Sequence, residues 1–419
     1  MRPKTPHITL LTGGALGVIL LVASMSATTK PPAGGSGGGS AAAGTAPGGT
    51  TAAPAIPGCG PATASAKSLS HVRRSAVGLG GRPFAVIKTP DRRFSFVTRG
   101  DSLAVLSNGS GLAPALVHTL QVPGANKGEA ITKDGKYLLL ATGGGAKVIN
   151  VHEAEQGNVV VLGTLDSPKG GGAVQVALSP DDQFAFVTLQ NSGGMAVFNL
   201  RQALADGFAA ASFVGIVPTG KESVGVAVSA DPGHKWLYVT DWGPPGTISV
   251  VNMHLAETDP GKALPAGHPL PAGCQPSRVV TSSHGRYVWV TAQASNALLA
   301  FSAARLRTDP AHALIATVPV GKNPIGEKAI NHDRQIVVAN SGRPHSLMVI
   351  DTQKALCREG KRALVGSIAT GKGPREFDLA DGRTLLVTNL GSGRLAAVSI
   401  NDIPLTSQST PPGQCRNGG

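Results

Sequence analysis

Between residues 66 and 403 one pattern recurs seven times: a short apolar run, a polar turn, a second apolar run, a Gly/Ser/Asn turn, and a third run. The second runs occupy 94–98, 137–141, 184–188, 236–240, 287–291, 335–339 and 384–388, and their last residues are 43, 47, 52, 51, 48 and 49 apart. Each run is only strand length. A small sheet cannot bury both faces alone, so sheets repeated at a near-constant period of this size stack on one another around a ring. The repeat therefore predicts an all-β, seven-bladed β-propeller.

The turns and the composition agree. Lys133-Asp134-Gly135, Ser179-Pro180-Asp181-Asp182, Ser283-His284-Gly285 and Ala380-Asp381-Gly382 have hairpin chemistry between first and second strands. Gly/Pro-bearing approaches precede the first strands, as in Gly321-Lys322-Asn323-Pro324. With 56 Gly, 31 Pro and 15% charged residues, there is little material for long amphipathic helices. The array opens on a segment resembling an outer strand, 72–79, and closes on a third strand, 394–400. We expect the N-terminal segment to supply the missing fourth strand of the last blade, which closes the ring and removes an exposed edge. That brings the termini together and makes Cys59–Cys415 the favoured disulfide. Cys357 is a rival partner for either, and Cys274 is expected on the opposite face, which disfavours Cys274–Cys357.

Residues 1–30 read as a signal peptide or N-terminal anchor: Arg2 and Lys4 precede an apolar stretch from 8 to 22, followed by small residues at Ala23, Ser24, Ser26 and Ala27. Residues 31–65, rich in Gly, Ala, Ser and Pro, read as a flexible linker. The propeller spans 66–403, and 404–419 form a tail. An exported chain at the cell envelope or outside the cell follows, with membrane attachment only through an uncleaved N-terminus, and the chain is expected to be monomeric. Four cysteines suit an oxidising compartment. The net charge of +13 favours anionic partners such as wall polymers; a protein partner is a further option, and nucleic acid is disfavoured by the scarcity of aromatics for stacking.

Propellers bind ligands where inner strands and loops converge on the axis. The approach loops carry Arg82, Lys127, Lys169, Lys221, Lys322 and Lys372, and the inner strands begin with Arg278, Arg375, Glu327 and Glu376. These ten are the candidate ligand-binding residues, as a ring of cations raises the local potential for an anion. Glu327 and Glu376 are near-equivalent in adjacent blades and could also handle protons, or simply pair with Lys328 and Arg375. No catalytic residue is assigned. His234, His284 and His332 recur in first-to-second strand turns, one per blade, which suits solvated turns better than a metal site. No nucleophile elbow, phosphate-binding loop or Cys-x2-Cys pair occurs, so no cofactor and no metal are expected.

The strand ends Val239-Thr240-Asp241-Trp242-Gly243, Val338-Ala339-Asn340-Ser341-Gly342 and Val387-Thr388-Asn389-Leu390-Gly391 carry a resemblance. So do 318–324, Val-Pro-Val-Gly-Lys-Asn-Pro, and 176–182, Val-Ala-Leu-Ser-Pro-Asp-Asp. Over residues 70–402 the chain resembles YVTN-repeat β-propellers, within the wider lactonase-like group. Blades two and six depart from the pattern, with Ala141 and Ala339 in place of Thr. The resemblance implies either an extracellular binding or scaffold module or a sugar-lactone hydrolase. The first is the leading expectation, with the basic channel mouth as its binding face; nucleic-acid binding is the third.

Overall fold

In the computed structural model the described residues are 54–405, except His234, together with Cys415. The segment expected to be a signal peptide or anchor, most of the expected linker, His234 and most of the tail lie outside them. Seven four-stranded antiparallel sheets follow one another along the chain. Blade 1 comprises Val86–Lys88, Phe94–Thr98, Ser102–Ser107 and Ala115–Gln121, from axis to rim. Blades 2 to 6 have inner strands Glu129–Ile131, Ala173–Leu178, Ser223–Val228, Pro276–Thr281 and Pro324–Ile330. In blade 7, Pro374–Leu379, Thr384–Asn389 and Arg394–Ser399 are joined at the rim by Arg74–Gly78, which pairs antiparallel with Arg394–Ser399 from Arg74↔Val398 to Gly78↔Arg394. The ring is thus closed by an early strand on the last blade.

The core lies between blades. Second and third strands alternate so that both faces meet a neighbouring sheet, and Phe96, Leu138, Phe186, Leu237, Val288, Val337 and Leu385 are fully buried. In blades 2 to 6 the third strand runs into a helix of five to seven residues, capped by the side chain of Asn150, Asn199, Asn252, Ser302 or Asp351.

Three local features explain the repeat. First, the Thr that ends most second strands is buried and links blades. Thr98, Thr240 and Thr388 donate to the carbonyls of Lys127, Ser277 and Phe84, on or just ahead of the next inner strand, at 2.7, 3.3 and 2.9 Å. Thr291 donates likewise to Ile325. Second, the approach loops carry a left-handed residue after the position usually filled by Lys, namely Glu222, Gln275, Asn323 and Gly373. This turn presents two carbonyls to the next hairpin: Gly243, Gly342 and Gly391 donate to the carbonyls of Lys221, Lys322 and Lys372 at 2.9–3.0 Å. The recurring Gly-Lys is therefore a backbone device that leaves the lysine side chain in solvent. Third, the first-to-second strand turns are held by side-chain bonds such as Thr89 to Asp91 and Thr132 to Asp134, at 2.5 and 2.7 Å.

Two expectations are corrected. The disulfides are Cys59–Cys274 and Cys357–Cys415, and not Cys59–Cys415. Proximity of the closing strand to the C-terminal end places residue 74, not residue 59. The intervening chain runs back along the rim, where Leu69 and Ser68 meet Ser367 of blade 6, Ala64 donates to Val320, and Gly60 donates to Ala294 of blade 5. Cys59 thereby reaches the approach loop of blade 5. The same path corrects the linker boundary: residues 55–65, read as flexible from composition, are a strap bonded to blade 5.

Candidate ligand site in the central channel

Two ends of the channel differ. At the approach face, Phe84 sits on the axis. It is buried, packs with Ala85, Val174 and Val224, and has Trp242 and Leu390 beside it. Arg375 stacks over its ring at 3.9 Å, Lys127 lies 5.5 Å from the ring centre and Arg278 6.0 Å. One aromatic ring thus gathers side chains from blades 2, 3, 4, 5 and 7 at this end. At the turn face the channel is open. A cleft of about 470 Å³ reaches from Thr89, Pro90, Thr132 and Lys133 down to Lys88, Glu129, Gln175, Lys328, Glu376 and Asp378. A second, of about 380 Å³, shares Gln175, Lys328 and Glu376 and adds Arg278 and Glu327.

The walls carry a layered ion network. Arg278, 4% exposed, donates through Nε to Glu376 Oε1 at 2.7 Å, its Nη2 lies 2.5 Å from the same oxygen as an ion pair, and its Nη1 donates to the carbonyls of Val224 and Ser277 at 3.2 and 2.8 Å. Arg375 Nε lies 3.9 Å from the same Glu376 oxygen. Burial, with Arg278 adding repulsion, lowers the Arg375 pKa to about 10, against the support of Glu376. Burial and then Arg375 and Arg278 also lower Lys127.

One layer towards the open end, Asp378 accepts from Lys88 Nζ at 3.2 and 3.3 Å, from Lys328 Nζ at 3.0 Å and from the Lys88 and Leu379 amides at 2.9 and 2.8 Å. Burial opposes its ionisation, but Lys328, Lys88 and the two amides together hold its pKa below the ordinary value. Lys88 and Lys328 keep 29% and 32% of their side-chain surface open, so their ammoniums face the cleft. Two further carboxyls have no such support. Neither oxygen of Glu129 or Glu327 has a hydrogen-bond partner among the described residues, and both groups titrate well above the usual carboxyl range. Burial is the main cause in each, reinforced by Asp378 and Glu376 for Glu129. For Glu327, Glu376 adds to it while Thr291 and Arg278 pull the other way.

The structure brings Lys127, Arg278, Arg375, Glu327 and Glu376 into this channel. Arg82, Lys169, Lys221, Lys322 and Lys372 are exposed on the approach loops, apart from the cleft. Glu376 pairs with Arg278 and Arg375, whereas Lys328 turns to Asp378 and leaves Glu327 alone. Sequence reasoning missed Phe84, Lys88, Glu129 and Asp378. Their signal was present: each is on or beside an inner strand, where the repeat otherwise places apolar residues. Among the described residues no cluster of three or more His, Cys, Asp or Glu is arranged to hold a metal ion.

Fold and channel together define a propeller with a polar, one-ended axial cleft. A family model described as lactonase, 7-bladed β-propeller matches residues 130–404, well over half of the chain, and the chain belongs to that family. No curated protein matches it. Among solved structures, the chain is similar to the hydrazine synthase of Kuenenia stuttgartiensis, at 16% identity over 84% of this chain and 98% of that one, with a TM-score of 0.60. That likeness is one of fold.

Proposed function

We propose that the protein is an exported hydrolase of a small hydroxylated lactone, which enters the central channel from the turn face. The observation that carries this reading is the convergence, in one open-ended cleft, of cations, two ion-paired carboxylates and two carboxyls without a hydrogen-bond partner among the described residues. In lactone opening, water adds to the carbonyl carbon, the ring C–O bond breaks, and a hydroxy-carboxylate and a proton leave. The reaction needs positive charge where the carbonyl oxygen turns negative, and a carboxylate to take a proton from water. Lys328, Lys88 and Arg278 can supply the first and Glu376 the second. Membership of the lactonase family supports the substrate class, and the Val-Thr strand ends support a place near the YVTN-repeat members. Export is supported by two disulfides, which persist in oxidising compartments.

A second reading, a monomeric binding module presenting its basic approach face to an anionic wall polymer or protein, draws on the exposed Lys221, Lys322 and Lys372. One experiment separates the two. Proton release is followed in a pH-stat as the full chain meets glucono-1,5-lactone and other sugar lactones. Lys328→Met is expected to lower kcat/KM by about 100-fold, and Lys322→Glu/Lys372→Glu to leave it unchanged. Turnover of none of the lactones would sink the hydrolase reading. A salt-sensitive thermal shift with teichoic acid, lost in the double variant, would support the second.

A further inference from the structure

Blades 2 and 6 depart from the repeat twice, and in the same way. Ala141 and Ala339 replace the threonine that links blades, and the inner strands opposite carry Gly128-Glu129 and Gly326-Glu327. The glycines are required by close approach. A Cβ at Gly128 would lie 2.8 Å from the Val174 carbonyl oxygen, and one at Gly326 would overlap the Arg375 carbonyl oxygen. With neither a threonine hydroxyl nor a Cβ between them, these strands rest directly on their neighbours, and the residue that follows is a glutamate. Glu129 borders the larger cleft and Glu327 the smaller, with Glu376 lining both. Glu327 is 5% exposed, and among the described residues all four oxygens of the pair are buried at the cleft wall without a hydrogen-bond partner.

A buried carboxyl without donors is costly unless it is neutral or a ligand completes it. Here the arrangement occurs twice, each time with the same two changes beside it. On the reading of the channel as a ligand site, we propose that Glu129 and Glu327 are a matched pair of neutral carboxylic acids that hold the hydroxyl groups of a sugar-like ring lying over Glu376. A neutral carboxyl donates one hydrogen bond and accepts others, which complements a hydroxyl that does both. Burial, the chief influence on both groups, favours that neutral form.

The test uses the full chain and the neutral, hydrolysis-resistant pyranose 1,5-anhydroglucitol. Infrared difference spectra at pH 7 should show the carbonyl band of a protonated carboxylic acid, reduced in Glu129→Gln and in Glu327→Gln, and shifted when the polyol is added. Each Gln variant, which keeps a donor and an acceptor, should bind the polyol within about threefold of the parent, and each Leu variant at least tenfold more weakly. Binding should weaken as pH rises and the acids ionise. Absence of the band, or a band that the polyol leaves in place, overturns the inference. Band and shift without lactone turnover would remove the hydrolase reading alone; turnover without the band would remove this inference alone.

Discussion

A threonine hydroxyl at the end of a second strand performs two tasks that no apolar residue of the same shape can. Thr388 accepts from the Glu376 amide at 3.0 Å and donates to the Phe84 carbonyl at 2.9 Å, so it ties blade 7 to blade 1 at the approach end of the axis. Thr388→Val keeps the volume and leaves two buried backbone groups unpaired, and chemical denaturation should report a loss of about 1–3 kcal/mol. A loss below a few tenths would show that the hydroxyl link is incidental. The recurrence of Val-Thr was legible in the sequence, and so was its interruption at Ala141 and Ala339. Its meaning was not, because the partner carbonyls lie on the following blade. The Gly-Lys repeat misled in the opposite direction. A charged side chain that recurs suggests a site, yet here it accompanies a turn whose backbone carbonyls do the bonding.

At the level of elements, strands and their order could be read almost to the residue, since period-two burial and hairpin turns leave a direct trace in sequence. The strap could not. Residues 55–65 bond to blade 5 largely through their backbone, as from Gly60 to Ala294 and Ala64 to Val320, both at 2.8 Å, and residues 67–69 continue onto Ser367 of blade 6. Backbone pairing of this kind needs no apolar side chains, so a Pro- and Gly-rich composition reads as linker whether or not it docks. Cys59–Cys274 fixes the strap across a separation of 215 residues, and Cys357–Cys415 ties the chain beyond the last blade to the helix Thr352–Leu356 of blade 6 through its capping residue. Replacing Cys59 and Cys274 together by Ser should lower stability by about 2–4 kcal/mol. Hydrogen exchange should rise first at residues 60–69. Unchanged exchange there would mean that the strap is held by its backbone bonds alone.

For the molecule as a whole, the ring is joined where its ends meet. Arg73, just ahead of the closing strand, binds Asp402 through Nε at 2.8 Å and through a second nitrogen at 3.1 Å, and the Arg73 amide adds a bond at 3.0 Å. Hydrogen bonds from Arg73, side chain and then backbone, lower the Asp402 pKa to about 2. A carboxyl depressed in the folded state stabilises it above the unfolded pKa of about 4, and that contribution is lost as pH falls towards 2. Asp402→Asn should therefore lower Tm at pH 7 and flatten its decline between pH 4 and 2; an acid profile identical to the parent's would contradict this closure. The same ring geometry sets function. Phe84 and its cations occupy the approach end of the axis, and the proposed function therefore has its ligand enter from the turn face. The most direct test is a crystal structure of the full chain with 1,5-anhydroglucitol. The account predicts ligand density in the cleft between Glu129, Lys328 and Glu327, reached from the turn face. Density at the Lys322 and Lys372 loops, with the channel holding only water, would contradict it.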